Sequence, residues 1–524
     1  MEPAILLFFL VGGLGLAIYL FYSMRSSYRE GYQRGQAEAV AKGAKPWGKP
    51  MSHTFGSAYI MTPQQIIDAG LGMAPETFQK RLKDHDLGFL ILGMTQYQKK
   101  SAGITFERAG HLLTIAPTRS GKGVSAVIPN LLFYTGSVVV NDIKGENYAV
   151  TASWRRKMGH NVYMFAPFAD ENFDVFNSSR WNPFDMLVDS DDPWEDCRYM
   201  AELLVPDERG KDDFWSNAAR NFLTGLILYL HSQRQKQAPM LVDIRILLTQ
   251  NEAEFLETLR DMAECGDTNV ERAANVMWRA DDKVREGILS TLDSHLSFLD
   301  SKKLVAYTHD STMNFKDLKE DLCSIYLILP PERLRTFAPF VRLFMGMAAL
   351  EMKRTRKKPE QPVLFMIDEF PAMGRMRVVE EEIAYLAGYG VNLWLFAQDL
   401  KQIATIYGDK AQSIIANCAV KQFFGVSDIE TAQFVSMMCG ETSIPSISYS
   451  SEQGLSIKNG NRTLSSGARP LLTTNEVMSL DKDTQLLFFQ GQQVVIAGKM
   501  NYLIDPLFKG SDQTPIYKDN PFHY

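Results

Sequence analysis

From about Leu87 onward, short and almost unbroken apolar runs alternate with polar and helical stretches. They read "HLLTIAP", "GSVVVNDIKGE", "NVYMFAPF", "CSIYLILP", "PVLFMIDEF", "VNLWLFAQD", "VKQFFGV" and "QQVVIAG". Each is rich in β-branched or aromatic residues and is bounded by Gly, Pro, Asn or Asp. A strand with one wet face alternates apolar and polar residues, whereas a strand buried on both faces does not. The runs therefore predict a mostly parallel central sheet covered by helices and built from βαβ units.

One region breaks this rhythm. Between about residues 186 and 304 no strand pattern appears. "NAARNFLTGLILYLHSQ" places Phe222, Leu223, Leu226, Ile227 and Leu230 on one helical face. "EAEFLETLRDMAE" and "VREGILSTLDSHLSFL" also read as helices. The expected layout is an α/β domain in two parts, 87–185 and 305–507, around an all-α insertion at 186–304. Residues 25–86 read as a juxtamembrane linker region and 508–524 as a C-terminal tail. Asp189, Asp191, Asp192, Glu195 and Asp196 open the insertion and predict a solvated surface. Residues 446–468, rich in Ser, Gly and Asn, predict a mobile loop. A length of 524 residues accommodates such a layout, since domains run to roughly 100–200 residues.

The first 24 residues form a separate element. Ala4 to Tyr22, "AILLFFLVGGLGLAIYLFY", carries no charge, and its length suits one membrane-spanning helix. A secretory signal would place positive charge ahead of the apolar run, but only Glu2 lies there. Arg25, Arg29, Arg34, Lys42, Lys45 and Lys49 follow it, which puts the bulk of the chain in the cytoplasm. A buried core helix is the alternative. Gly12, Gly13, Gly15 and Ala17 offer a face for close helix approach, or are simply tolerated Gly and Ala. Cys197, Cys265, Cys323, Cys418 and Cys439 are scattered and fit reduced, structural thiols; no zinc spacing is present. The net charge of −6 argues against a general nucleic-acid coat, though not against a local basic channel.

"TIAPTRSGKGVSAVIPNLL", Thr114 to Leu132, approaches the phosphate-loop pattern G-x-x-x-x-G-K-[ST] without meeting it. Ala116 replaces the first Gly and Gly123 replaces the hydroxyl residue. The order strand, loop, helix is right. Backbone N–H groups of Thr118, Arg119, Ser120, Gly121, Lys122, Gly123 and Val124 would cradle phosphate, and Lys122 would neutralise it. Ser120, Thr118 or Ser125 could replace the missing Mg²⁺-binding hydroxyl. "PVLFMIDEF" ends an apolar strand in Asp368-Glu369. Asp368 fits a metal ligand acting through water, and Glu369 fits the base that orients the attacking water. A helix cap or turn is the bland alternative. Gln398, at the end of "VNLWLFAQD", is either a γ-phosphate sensor or an ordinary strand-end polar residue. "KRTRKKP" (Lys353–Pro359) is the densest basic run and fits a solvated turn better than a nucleic-acid contact.

Taken together, "APTRSGKGVSAVIPNLL", "GSVVVNDIKGEN", "RWNPF", "PVLFMIDEFPAMGR", "ANCAVKQFFGVSDIETAQ" and "RPLLTTNEV" resemble type IV secretion coupling proteins of the VirD4/TraG group. The motifs keep that family's order over about residues 110–480. The resemblance implies that "GKG" is an accepted loop form. It also implies a RecA-like P-loop fold of the FtsK/HerA type, an ATPase that uses ATP and Mg²⁺. It further implies a homohexamer at the bacterial inner membrane, passing relaxase-bound single-stranded DNA or protein effectors to the secretion channel. In the same terms Lys122 binds phosphate, Asp368 holds Mg²⁺, Glu369 activates water and Gln398 senses phosphate. Arg375 is the candidate to reach a neighbouring subunit's nucleotide, with a surface salt bridge as the alternative. No role follows for Asp142, Lys144 and Glu146 of "DIKGE". The chain departs from many members in showing one membrane segment instead of two. Alternative readings are a nucleotide-switched receptor with little motor activity and a chromosome-segregation DNA pump.

Overall fold

The computed structural model of the protein describes residues 56–84, 86–169, 178–207, 213–450, 461–509 and 515–518. The expected anchor over 4–22 lies outside them. Among the described residues no helix is long and apolar enough to cross a membrane. The chain divides into two units, Ala58–Gly440 with Pro470–Tyr524, and Met1–Ser57 with Glu441–Arg469.

The larger unit is built on a 12-stranded sheet. Its strands are β1 (Gly72–Met73), β2 (Leu90–Tyr97), β3 (Lys100–Phe106), β4 (His111–Ile115), β5 (Val138–Asp142) and β6 (Asn161–Phe165). They continue with β7 (Cys323–Ile328), β8 (Val363–Ile367), β9 (Val391–Ala397) and β10 (Cys418–Phe423). The hairpin strands β11 (Glu441–Ser450) and β12 (Asn461–Pro470) form a separate two-stranded sheet, and β13 (Thr484–Phe489) and β14 (Val495–Gly498) complete the large one. The spatial order is β1-β3-β2-β14-β13-β10-β4-β9-β8-β5-β7-β6. From β10 to β6 every pairing is parallel. From β10 to β1 every pairing is antiparallel.

The parallel half explains the apolar runs. All residues of β5, β7, β8 and β9 are buried. Alternate side chains enter opposite layers, as the two-residue period requires. Val363, Phe365, Ile367, Leu393 and Leu395 join the core shared with Phe340, Phe344 and the helices between β6 and β7. Leu364, Met366, Trp394 and Phe396 face the other way, with Ala126, Val127 and Leu131. Between β6 and β7 the described residues form helices and no strand, from Pro193–Leu204 to Lys302–Val305. Phe222, Leu223, Leu226 and Ile227 are buried as the helical face predicts. Aspartate or asparagine caps several of these helices: Asp192, Asn251, Asp267 and Asp281 each accept backbone N–H groups of the first turn.

Four expectations require correction. Residues 58–84 do not behave as a linker. Helices Pro63–Asp68 and Pro75–Lys83 flank β1, which pairs with β3, and Ile66, Leu71 and Phe78 are buried. Thr62 closes a capping box with Gln65, a local start signal hidden by the surrounding Gly and Pro. The stretch at 446–468 is not simply a loop, because β11 and β12 extend into it from both sides. Ser and Gly dominate its composition, and β11 begins before it, with the β-branched Thr442 and Ile444. The acidic opening of the insertion is only partly solvated. Asp196 is buried and pairs with Arg354. The described part of the C-terminal tail also packs: Phe508 is buried against Phe133, and Lys518 N–H bonds the Val150 carbonyl.

A buried polar chain joins the two halves of the sheet. Trp394 Nε1 donates to Thr114 Oγ1 at 2.8 Å, and Thr114 Oγ1 to Gln422 Oε1 at 2.7 Å. Gln422 Nε2 donates to Gln485 Oε1, and Gln485 Nε2 to the Leu92 carbonyl at 2.7 Å and the Gly498 carbonyl at 3.1 Å. Gly93 leaves room for the last link: a Cβ there would lie 2.3 Å from Gln485 Nε2 and 2.8 Å from the Gly498 oxygen. Gly93→Ala is expected to cost about 1–3 kcal/mol through overpacking. A urea midpoint unchanged from that of the parent would contradict this packing.

Candidate functional site

In open α/β sheets, ligands bind beyond the carboxyl ends of the strands. The order β4-β9-β8 brings three such ends side by side. From β4 the chain enters the loop Pro117–Lys122, then a π-turn at Gly123–Val127 and the helix Ile128–Phe133. In the π-turn the Ile128 N–H reaches back to the Gly123 carbonyl, a local widening often found at functional sites. Arg119 (φ 62°) and Gly121 (φ 93°) both take left-handed backbone conformations. Thr118 and Arg119 are exposed, whereas Ser125 is buried. Around Gly123 a Cβ would meet nothing within 4 Å, so the loop has open space on that side.

The structure brings Lys122, Asp368, Glu369 and Gln398 together. Lys122 Nζ donates to Glu369 Oε1 at 2.6 Å and lies 3.7 Å from Asp368 Oδ1. Gln398 Nε2 donates to Glu369 Oε2 at 3.2 Å. Glu369 itself is left-handed, at φ 48°. For a non-glycine residue this conformation is uncommon, and at such a site it is a cost held in place by surrounding contacts. Two contacts fix the turn: Glu369 N–H bonds Asp368 Oδ1 at 3.0 Å, and Asn141 Nδ2 bonds the Asp368 carbonyl at 3.0 Å. The protein mass around Asp368 pushes its carboxyl up to about 6, against the pull of the Lys122 ammonium. About 30% of the side chain still meets solvent.

These donors fit a magnesium nucleotide. Carboxylate oxygens suit a hard divalent cation, which commonly takes one or two of them and completes its shell with phosphate and water. The ammonium and the loop N–H groups suit phosphate. Of the three hydroxyls considered for the position lost at Gly123, Ser120 Oγ donates to the Pro117 carbonyl at 2.6 Å. That bond uses its proton and leaves its oxygen lone pairs open, so Thr118, Ser120 and Ser125 all remain candidates.

Other candidates lie elsewhere. Arg375 forms the salt bridge that was its alternative reading: Nε donates to Glu380 Oε2 at 2.8 Å, Nη2 to Glu380 Oε1, and Nη1 to the Asp207 carbonyl at 3.3 Å. The "DIKGE" motif has a structural account. Asp142 accepts from Gly145 N–H at 3.0 Å, Asn147 Nδ2 at 3.3 Å and Tyr148 N–H at 2.8 Å, so it closes the turn into helix Glu146–Lys157. Burial nonetheless pushes its carboxyl up to about 7. The basic run is mostly engaged within the chain. Lys353 bonds Glu382, Arg354 pairs with Asp196, and Lys357 bonds the Glu320 carbonyl. Sequence reading missed Asn141, although it precedes Asp142 in a quoted motif, and Lys499, which no local signal marks.

A loop of phosphate-binding type after β4, an acidic pair after β8 and a glutamine after the intervening β9 meet at the carboxyl edge of a mostly parallel α/β sheet. Solved structures share the fold. The conjugative coupling protein TrwBΔN70, in a trigonal form with sulphate, aligns at TM-score 0.60 and 14% identity, covering 88% of this chain and 98% of that one. TrwB with ADP and Mg²⁺ aligns at 0.59 and 14%, covering 90% and 98%. The family described as Type IV secretory system Conjugative DNA transfer matches residues 65–520, and the chain belongs to it. Its relatives include conjugal transfer protein TraG of Escherichia coli, 28% identical over 90% of this chain and 80% of that protein. VirD4 of Agrobacterium fabrum is 27% identical over 76% of this chain and 59% of that protein.

Proposed function

We propose that the chain is a membrane-anchored coupling ATPase. It recruits DNA–relaxase complexes or protein effectors and delivers them to a type IV secretion channel, driven by ATP hydrolysis. The observation that supports this reading best is the Lys122–Glu369–Gln398 chain at the ends of β4, β8 and β9. Lys122 is the first side chain a bound phosphate would meet. Phosphate oxygens compete with Glu369 for its ammonium, and Glu369 is then free to accept a proton from the attacking water. Gln398 keeps Glu369 oriented through Oε2. Asp368 would hold Mg²⁺ through water, and the ion would supply charge neutralisation to the bound phosphates. Arg375 would serve a neighbouring subunit of a homohexamer by exchanging Glu380 for that subunit's nucleotide. The apolar segment 4–22 would hold the ring at the inner membrane, and the helices of 186–304 would face the cargo.

A second reading, a nucleotide-switched receptor, draws on Gly123, which lacks the usual Mg²⁺-binding hydroxyl, and on the large helical insertion between β6 and β7. Cargo transfer by cells carrying Glu369→Gln separates the two. The motor reading expects transfer to fall at least a hundredfold, in line with the loss of a catalytic base. Transfer at the parental level would replace it with the receptor.

A further inference from the structure

The phosphate loop is held from outside by residues far away in sequence. Lys499 directly follows β14, and its backbone N–H bonds the Asp483 carbonyl at 2.8 Å. From there its side chain runs across the Phe424 ring, with Nζ 4.8 Å from the centroid, and donates to the Ser120 carbonyl at 2.8 Å. The ammonium has no carboxylate within salt-bridge reach among the contacts of the described residues. Phe424 and Gly425 follow β10, and a Cβ on Gly425 would approach Ser120 Cβ to 2.9 Å. The Tyr502 N–H also reaches the Val124 carbonyl at 3.5 Å.

The geometry matters because of peptide planarity. In a trans peptide the C=O and N–H point in opposite directions. A lysine that fixes the Ser120 carbonyl therefore fixes the Gly121 N–H on the opposite side of the peptide, pointing away from Lys499. Gly121, at φ 93°, is free to take that orientation. Desolvation lowers the pKa of Lys499, so the carbonyl bond and the Phe424 face compensate a charge that water no longer fully solvates. We infer that Lys499 is a positioning residue of the phosphate loop: it holds the Ser120–Gly121 peptide in the phosphate-binding orientation without itself touching nucleotide. The antiparallel half of the sheet is thereby tied to the nucleotide site, since Gln485 anchors the Gly498 carbonyl immediately before Lys499.

The inference rests on the nucleotide reading of the loop, and one experiment separates their failures. The full chain in detergent is titrated with fluorescent ATP and ADP analogues, as parent, Lys122→Ala, Lys499→Met, Lys499→Arg and Gly425→Ala. Lys122→Ala should weaken both ligands; if it leaves both unchanged, the nucleotide reading itself falls. Given that loss, Lys499→Met should weaken ATP and ADP equally, by about tenfold, as expected for one charge-assisted hydrogen bond. Lys499→Arg should recover part of the loss, and Gly425→Ala should reproduce it by displacing Ser120. Parental affinity in Lys499→Met overturns the positioning role. So does a loss clearly larger for ATP than for ADP, which would place Lys499 on the γ-phosphate. Thermal melting of each variant within a few degrees of the parent excludes misfolding as the cause. If Lys499→Met melts early, Gly425→Ala carries the decision by the same criteria.

Discussion

Glu369→Gln is expected to separate binding from turnover. The substitution is nearly isosteric and keeps an oxygen to accept from Lys122 or from Gln398. It removes the carboxylate that would take a proton in the proposed mechanism. General-base catalysis contributes about 10²–10⁴ in rate, so ATP turnover should fall by at least a hundredfold while nucleotide affinity stays within a few-fold of the parent. Affinity is also expected to rise modestly, because Lys122 loses an anionic competitor 2.6 Å away and is freer to meet phosphate. Steady-state hydrolysis and analogue binding on the same preparation check both halves. Equal losses of binding and turnover would mean that Glu369 serves the fold of the turn more than the chemistry. That is a real alternative for a residue at φ 48°, and it is what the paired measurement decides.

The largest expected effect on stability comes from Arg155. It is fully buried, and none of its hydrogen bonds goes to a carboxylate. Nη1 donates to the Leu131 carbonyl at 3.0 Å and the Tyr134 carbonyl at 2.9 Å, Nη2 to the Gly136 carbonyl at 2.7 Å, and Nε to Ser324 Oγ at 2.5 Å. Leu131 and Tyr134 lie at the C-terminal end of the helix that begins at the phosphate loop. Helix C-termini leave carbonyls without partners and carry partial negative charge. One guanidinium fork answers both needs. Burial lowers its pKa, and His160 beside it is pushed down to about 3, by burial first and by this charge second. Arg155→Met relieves the desolvation of the charge but strands three buried carbonyls. At about 1–3 kcal/mol for each stranded group, the loss prevails, and a net destabilisation of about 3–5 kcal/mol is expected. Lys retains the charge but not the fork, so Arg155→Lys should recover less than half. A urea midpoint in Arg155→Met equal to the parent's would show that water replaces these bonds without cost.

Arg155 also shows why part of the molecule was not legible. "SWRRK" reads as the basic end of a helix, and nothing nearby announces that the first arginine faces carbonyls of residues 131–136. Lys499 is hidden for the same reason, since its partner Ser120 lies at the other end of the chain. By contrast, β4, β5, β8 and β9 were legible because burial on both faces removes polar residues from the strand itself. The antiparallel strands β1, β3 and β13 gave weaker signals. "KSAGITF" begins polar, and "TQLLFF" carries Gln485, a residue the sheet uses internally. Lys122, Asp368, Glu369 and Gln398 were named from motifs, and the strand order places them together. Arg375 was named on resemblance, and within one chain its partner is Glu380.

The central claim is that this site hydrolyses ATP to drive transfer. Its most direct test is ATP hydrolysis by the full chain in detergent, with and without single-stranded DNA, over a range of protein concentrations, beside Lys122→Ala. The account predicts turnover that Lys122→Ala abolishes, that DNA stimulates, and that rises steeply with concentration as rings assemble. Hydrolysis no greater than that of Lys122→Ala under every condition would contradict it.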